Sequence, residues 1–385
     1  MTLPVDQVLL LRAALLDGPP AAQAWREWRA GADLETIDRG SARLVPLLWH
    51  NLLANGITDD WLPRFKGVYR HTWLANQLRL RRLRAILATL GDAGVEGVVL
   101  KGIALASAYY PNPGLRPMDD LDVLVAPDDV PAALAALAGA GWVSTVARPE
   151  RVLRVVHGIE LRDSDGERLD LHAHVFQGSL DSALDARRRE RAEVLELADG
   201  PLRVLEATDQ LLHVLVHGLE SDPPAPRWLA DATMVLRRAG TRIDWPRLLA
   251  DAAAESRALA VARALVELDA VIGRDALALP AEVLAQARLH RPTLGERFEH
   301  RVASGGRLFA VGFLVRRVVD YRRWRRADRG ASRAGTGFLG YLRLNWGLDS
   351  LRQLPGQVVR RGLRSVSQDV GGLLARARGR GTSSA

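Results

Sequence analysis

Residues 114–127 read GLRPMDDLDVLVAP, and this stretch decides the fold. After an Arg-Pro turn the chain alternates between acidic and apolar residues, which is typical of a strand with two unlike faces. Asp120 and Asp122 take one face, whereas Leu121 and Val123 take the other. Clustered carboxylates repel one another and aspartate is uncommon in strands, so the pattern indicates that a cation neutralises them.

Strand-length apolar runs surround this stretch between residues 95 and 175. One run ends at Leu100 before a short helical segment, and the Asp165-Gly166 pair is typical of a tight hairpin turn between two further strands. The chain before this region, and the chain after Leu184, has apolar residues at helical spacing. The sequence therefore predicts an α+β fold, with a small mixed β-sheet and extensive flanking α-helical regions.

These patterns divide the chain into four predicted segments. Residues 1–92 form an N-terminal helical region, residues 93–183 a core with the mixed sheet, and residues 184–300 a helical domain. Residues 301–385 form a basic C-terminal region that is expected to be partly flexible. Within it the arginine-rich residues 321–335 are predicted to be an exposed or mobile connection.

The composition limits the class of protein. Of the 385 residues 48% are apolar and 25% are charged, as in ordinary globular domains. The chain has no cysteine, which excludes disulfides and thiolate chemistry. The first residues lack the features of a secretory signal, and no apolar run approaches the ~20 residues of a transmembrane helix. A cytoplasmic protein without a transmembrane segment is predicted.

The net charge of +8 is concentrated at the C-terminal end. Residues 301–385 contain 18 arginines and 4 aspartates, a net charge of +14, so the remainder carries a net charge of −6. Such a region can contact phosphate-rich partners, although a charged run is most often a solvated surface. Nucleic acid is therefore the less favoured partner.

A second acidic stretch, LDLHAHV, covers residues 169–175. Asp170, His172 and His174 lie on one face of the predicted strand. If this strand lies beside the Asp120 strand, three carboxylates converge. Oxygen donors with open positions suit Mg²⁺, which keeps several waters and is often completed by substrate phosphates. The two stretches together predict a divalent-cation site.

The dipeptide Lys101-Gly102 lies where a predicted strand ends and a helix begins. Backbone N–H groups at a helix N-terminus bind anions, glycine allows close approach, and the lysine adds an ammonium. Lys101 is one of only two lysines among 53 basic residues, the other being Lys66. The pattern indicates a triphosphate site, and a simple turn is the alternative explanation.

The order LKG, then LRPMDDLDVLV, then LDLH resembles the uncharacterised bacterial nucleotidyltransferase family of the DNA polymerase β superfamily, over about residues 20–285. The resemblance implies metal-dependent transfer of a nucleoside monophosphate from a nucleoside triphosphate, with Mg²⁺ or Mn²⁺ as cofactor. It implies that Asp120 and Asp122 hold metal and that Asp170 completes the site. The superfamily's usual Gly-Gly or Gly-Ser pair is replaced here by Lys101-Gly102.

Several roles stay open at this level. Asp170 is a ligand of the metal or the base that accepts the proton of the attacking group, and the metal role is preferred. Arg116 either binds phosphate oxygens or forms a loop salt bridge to Asp119. His172 either orients a carboxylate or the acceptor, or is a structural residue. The acceptor is a small molecule, a sugar, or a peptide or protein.

His213 and His217 are spaced i, i+4, as in some zinc sites. The glutamate of the protease-type helix is missing and no third ligand is evident, so we predict that both are structural. We also expect Asp120→Asn and Asp122→Asn to keep the fold, because each lowers carboxylate repulsion in the metal-free site.

A different class of function is also compatible with the sequence. The alternative is a catalytically weak nucleotide- or nucleic-acid-binding protein that uses its basic C-terminal region. That hypothesis predicts binding that falls steeply with salt and survives the loss of Asp120. The enzyme hypothesis predicts the reverse.

Overall fold

The computed structural model describes residues 3–220, 226–303, 312–327 and 337–360. Across these ranges a seven-stranded mixed sheet is covered by helices, which confirms the predicted α+β fold with extensive helical flanks. Partial flexibility is predicted for residues 301–385, of which residues 304–311, 328–336 and 361–385 lie outside the described ranges.

The sheet has the strand order β3-β4-β5-β2-β1-β7-β6. Its strands are β1 Val98–Val99, β2 Leu121–Leu124, β3 Val143–Ser144, β4 Gly158–Arg162, β5 Arg168–His172, β6 Glu193–Leu195 and β7 Leu202–Val204. The β2–β5 and β1–β7 pairs are parallel, and the other neighbouring pairs are antiparallel. The strands with the acidic residues are therefore central.

Helices account for most of the remaining described residues. They are α1 Val5–Leu15, α2 Gly18–Gly31, α3 Arg39–Ala42, α4 Val45–Ala54, α5 Leu62–Asp92, α6 Lys101–Ala108, α7 Val130–Gly139, α8 Pro149–Val152, α9 Ser182–Arg191, α10 Ala207–Glu220, α11 Arg227–Ala239, α12 Trp245–Ala254, α13 Ala258–Val271, α14 Arg274–Leu277, α15 Ala281–Leu289, α16 Leu294–Ala303, α17 Gly312–Ala327 and α18 Phe338–Asn345. In the described ranges, none of these helices combines the length and apolar character that crossing a membrane requires.

The prediction that the chain after Leu184 is purely helical is wrong for residues 193–204. Strands β6 and β7 form a hairpin there, and β7 adds a parallel strand next to β1. The hairpin turns at Gly200, whose φ of +114° is accessible mainly to glycine. Each strand has only three residues, which is too short for a period-two pattern to stand out from the surrounding helices.

The two faces of the sheet belong to different apolar cores. Val98 and Leu124 face a core built from the helices that precede the sheet and from α10, α11 and α13. Val99 and Val123 face a second core, in which side chains of α5 and α7 cover the sheet. Successive residues of a strand point to opposite faces, so Asp122 lies on the same face as Leu124. The acidic residues consequently point toward the α10–α11 side.

A third apolar cluster joins the C-terminal helices to the rest of the fold. Trp324 of α17 and Tyr341 of α18 are buried together with Val155 and Leu180. The prediction of an exposed or mobile connection at residues 321–335 is therefore wrong for its first part, which is helical. Residues 328–336 lie outside the described ranges. The sequence pattern did not predict this helix, because the many arginines interrupt the apolar spacing that its buried aromatic residues would otherwise show.

Two leucines of α18 provide a direct check of this cluster. Leu342 is 3% exposed and Leu339 is 58% exposed, so the same substitution has different consequences on one helix. We expect Leu342→Ala to lower the free energy of unfolding by about 2–4 kcal/mol, because it opens a cavity in the cluster. Leu339→Ala should change it by no more than about 0.5 kcal/mol. Urea denaturation of both variants measures the difference, and equal effects would contradict the packing of α18.

Candidate active site

Strand register brings the two acidic stretches together. In the parallel β2–β5 pair Asp122 lies opposite Asp170, and Leu124 lies opposite His172. Paired residues of neighbouring strands point to the same face, so both aspartates and His172 share the face that α10 and α11 cover. On its other side β2 pairs with β1, which leads directly into α6 and Lys101. The three sequence motifs are thus neighbours.

Three potential metal ligands converge at this point. One ligand atom each from Asp122, Asp170 and His172 lies within 4.8 Å of the others, the one such group found among the described residues. Asp120 precedes β2 and lines the cavity that opens over these three ligands, but it is not part of this group. The structure thus places His172 in the cluster, although the sequence pattern predicts Asp120 there.

The two oxygens of Asp122 have different surroundings. Its Oδ1 accepts hydrogen bonds from Lys101 Nζ at 2.7 Å and from His172 Nε2 at 3.0 Å. Its Oδ2 is buried, and within the described part of the chain neither this oxygen nor Nδ1 of His172 has a hydrogen-bond partner. A buried carboxylate oxygen without a partner is costly, and a divalent cation is a natural partner for it. The donor set therefore fits a metal ion.

The charges around Asp122 and Asp170 differ strongly. Burial alone would raise the pKa of Asp122, but the Lys101 ammonium and the hydrogen bond from His172 hold it well below its usual value. For Asp170, burial and then the neighbouring Asp122 carboxylate raise the pKa to about 6. The charge of Asp122 is therefore balanced by Lys101, whereas Asp170 forms no ion pair with any residue that the structure describes.

Lys101 is held in place by this acidic group. Burial disfavours its ammonium, but the Asp122 carboxylate more than compensates, with smaller contributions from Asp170 and Asp120, so the pKa of Lys101 is raised. The expectation that Asp122→Asn preserves the fold thus needs revision, because the substitution removes the counter-ion of Lys101. Asp120 is less buried and forms no ion pair with the described residues, so for Asp120→Asn the expectation stays a prediction.

The backbone at Lys101 adopts an unusual conformation. Its φ is +44°, in the left-handed region that non-glycine residues enter at a cost of about 1 kcal/mol or more. This conformation lies at the first residue of α6 and accompanies the contact of the side chain with Asp122. At the next position, a Cβ on Gly102 would lie 3.3 Å from the sulfur of Met118, so a larger residue is disfavoured there.

A cavity of about 230 Å³ opens over the acidic cluster. The lining residues come from α6, the loop before β2, β2, β5, α10 and α11. They are Lys101, Gly102, Leu105, Arg116, Met118, Asp120, Asp122, Asp170, Gln210, His213, Val214, His217, Gly218, Arg227, Trp228 and Asp231. All three predicted carboxylates, together with Lys101, Gly102 and Arg116, therefore lie at one cavity.

Arg116 is buried and forms a paired contact with Asp231 of α11. Its Nε and one terminal nitrogen donate to the two carboxylate oxygens at 2.7 and 2.9 Å. The predicted alternative partner, Asp119, is instead paired with Arg39 and Arg43. The structure thus gives Arg116 an acidic partner 115 residues away, at the wall of the same cavity.

Arg227 adds a second guanidinium beside this pair. Its Nε lies 4.0 Å from Asp231, the carboxylate that Arg116 already uses, and it donates to the carbonyl of Pro117 at 2.8 Å. Burial, and then repulsion from Arg116, lower the pKa of Arg227 to about 10. Two guanidinium groups share one carboxylate, so this wall of the cavity has an excess of positive charge and favours the binding of an anion.

Sequence reasoning missed most of the helical wall. Gln210, His213, Val214, His217 and Gly218 follow the spacing i, i+3, i+4, i+7, i+8 and therefore form one face of α10. The available signal was the presence of polar residues on a helix face that is otherwise buried. A Cβ on Gly218 would lie 2.3 Å from the Trp228 ring, so glycine is required for the close packing of α10 and α11.

The histidines near the site are mostly buried. Burial, and then the Lys101 charge, lower the pKa of His217 to about 4, and the pKa of His213 is also well below its usual value for the same reasons. Both residues, with Lys101 and His157, line a second cavity of about 130 Å³ that adjoins the first. His174 does not join the site, because it pairs with Asp185 at 2.8 Å.

Comparison with known proteins identifies the family. No curated protein matches the chain. The model of a family described as uncharacterised nucleotidyltransferases matches residues 40–270, which is more than half of the chain and includes every residue of the cavity. The match supports a nucleotidyl transfer function and a transferase activity. The chain belongs to this uncharacterised nucleotidyltransferase family.

Proposed function

We propose that the protein is a Mg²⁺-dependent enzyme that transfers a nucleoside monophosphate from a nucleoside triphosphate to an acceptor. The observation that carries this proposal is the Asp122–Asp170 pair, in which one buried carboxylate oxygen has no partner and one carboxylate has a raised pKa. In the reaction an acceptor oxygen bonds to the α-phosphorus, the bond to the bridging oxygen breaks, and pyrophosphate leaves.

The metal is assigned to the carboxylates. Asp122, through its Oδ2, and Asp170 would hold it, and Asp120, at the same cavity, is the third candidate ligand. Bound Mg²⁺ supplies positive charge to the phosphate oxygens during transfer. We assign Asp170 to the metal rather than to proton transfer, because a bound cation keeps this carboxylate ionised. His172 orients Asp122 through its hydrogen bond.

The phosphates are assigned to the basic side of the cavity. Lys101 supplies an ammonium, and the start of α6 supplies backbone N–H groups beside Gly102. Arg227 lines the same cavity and shares its acidic partner Asp231 with Arg116, so it is available to an anion. Arg116, already bonded twice to Asp231, holds the wall on which Arg227 is placed.

The first test is binding. With Mg²⁺ present, a nucleoside triphosphate at about 100 times its dissociation constant should raise the free energy of unfolding by about 2.7 kcal/mol, and EDTA should remove this gain. Thermal unfolding with each of the four triphosphates measures the effect. Pyrophosphate release with a panel of sugar, alcohol and peptide acceptors then measures transfer. Manganese should replace magnesium, since both prefer oxygen ligands.

Asp119→Asn is the matched control for the cavity aspartates. Asp119 lies next to Asp120 in sequence, but its carboxylate pairs with Arg39 and Arg43. We expect this variant to keep Mg²⁺-dependent binding, whereas Asp120→Asn should weaken it. If Asp120→Asn binds like the parent and binding falls steeply with salt instead, the protein is a binding protein that uses its basic C-terminal region, and the proposed enzyme activity is excluded.

A further inference from the structure

The amide of Gln210 is a buried group without a partner. Gln210 is 0% exposed, and neither its Nε2 nor its Oε1 has a hydrogen-bond partner among the residues that the structure describes. An unpaired buried amide is destabilising, because both its donor and its acceptor have lost water. A polar group kept in this state at a cavity wall is typical of a ligand-binding residue, whose partner arrives with the ligand.

The position of Gln210 relates it to the proposed phosphate site. It lies one helical turn before His213 on the cavity face of α10. His213 and His217 adjoin Lys101, which contributes to the lowered pKa of both. Gln210 is thus displaced along α10 from the cationic end of the cavity. In a nucleotide, the base is likewise separated from the phosphates by the ribose.

The cavity that Gln210 lines suits an aromatic, partly polar group. Leu105, Met118, Val214 and Trp228 line the same cavity, so apolar and aromatic side chains accompany the single amide. Sites for small planar ligands are mostly apolar, with a few polar groups that fix orientation. A glutamine amide offers one donor and one acceptor side by side, which matches the adjacent donor and acceptor on the edge of a nucleobase.

We infer that Gln210 binds the base of the nucleotide, through a paired donor and acceptor contact, and so fixes the nucleotide in the cavity. This inference rests on the proposed function, because it assumes that the phosphates bind at Lys101 and at the metal ion that the carboxylates would hold. It assigns a base-recognition residue to α10, in a part of the chain where the sequence shows no nucleotide-binding motif. All four standard bases can present such an edge, so the preferred base is found by measurement.

The test uses Gln210→Met, which keeps the length of the side chain and removes both polar atoms. In the presence of Mg²⁺ we expect the best-bound of ATP, GTP, CTP and UTP to lose about tenfold in affinity. Inorganic tripolyphosphate carries phosphates without a base, so its affinity should stay within a factor of two or so. Isothermal titration of the parent and the variant with both ligands measures this selectivity.

A second readout separates ligand binding from a structural role. Without ligand, Gln210→Met should raise the melting temperature by about 2 °C, because it removes an unsatisfied buried amide. A glutamine that held the fold together would give a lower melting temperature. Gln177→Met is the matched control, since Gln177 is exposed and lines only the adjoining cavity, and it should change neither quantity.

The outcomes distinguish the two levels of the argument. Suppose that the parent binds triphosphates. If Gln210→Met then weakens the binding of tripolyphosphate and of the nucleotide equally, or weakens neither, the assignment of Gln210 is wrong while the proposed function stands. The same holds if the variant has a lower melting temperature without ligand. If the parent binds none of the triphosphates with Mg²⁺, the proposed function fails and the assignment of Gln210 fails with it.

Discussion

Asp122→Asn is expected to abolish pyrophosphate release and to lower the free energy of unfolding by about 3 kcal/mol. The loss of activity follows from the loss of a proposed metal ligand. The loss of stability follows from the contact of Lys101, whose ammonium lies 2.7 Å from Asp122 Oδ1 and whose side chain is only 20% exposed. Without Asp122 this desolvated charge keeps only the weaker attraction of the Asp170 and Asp120 carboxylates. Urea denaturation at pH 7 measures the change.

The pH dependence of this effect has a definite sign. The pKa of Asp122 is lowered in the folded protein, so its contribution to stability is present above the unfolded pKa of about 3.9 and is lost as the pH falls below it. The difference between parent and variant should therefore be full at pH 7 and shrink in acid. A difference that instead grows in acid would contradict the ion pair.

A double variant provides the control. Lys101→Met combined with Asp122→Asn removes both charges, so most of the stability lost in Asp122→Asn should return while activity stays absent. If the double variant is as unstable as the sum of the two single variants, Lys101 and Asp122 are not coupled, and the electrostatic account of the pair is wrong.

Asp170→Asn is expected to have the opposite effect on stability while also abolishing pyrophosphate release. Burial and the Asp122 carboxylate raise the pKa of Asp170 to about 6, so its ionised form destabilises the metal-free protein. A raised pKa of this size corresponds to about 2–3 kcal/mol at most. The neutral amide removes this penalty, and unfolding in EDTA at pH 8 should show the variant to be more stable than the parent.

The pH range and the metal separate this prediction from a general packing effect. Below about pH 4 the carboxyl is protonated in both the folded and unfolded states, so the advantage of Asp170→Asn should vanish there. With Mg²⁺ and a nucleoside triphosphate, the parent should gain stability and the variant should not. A variant that is less stable than the parent at pH 8 in EDTA would show that Asp170 is not repelled by Asp122.

The local sequence pattern was sufficient to predict the strands and the helix that carry the site residues. The alternation around Asp120 and Asp122, and the alternation around Asp170, placed the carboxylates on single faces of two strands, since the side-chain direction in a strand has a period of two. The start of a helix at Lys101 was equally local. Each of these features depends on residues within a few positions of one another, which is why the sequence alone predicted them.

Other features were decided only by the tertiary structure. The sequence could not show that Asp122 lies opposite Asp170, or that Lys101 occupies one oxygen of Asp122, because a strand pattern does not name the neighbouring strand. The partner of Arg116 is 115 residues away, so chain packing decided that it is Asp231 rather than Asp119.

The residues of α10 that line the cavity likewise could not be identified from the sequence alone. The apolar spacing after Leu184 predicted helices, but the place of Gln210 at the cavity was defined only by the packing of α10 over the acidic strands. The sequence by itself determined which residues share a strand face or begin a helix. The tertiary structure decided which faces meet, because burial and pairing between distant segments depend on the packing of the whole chain rather than on local backbone geometry.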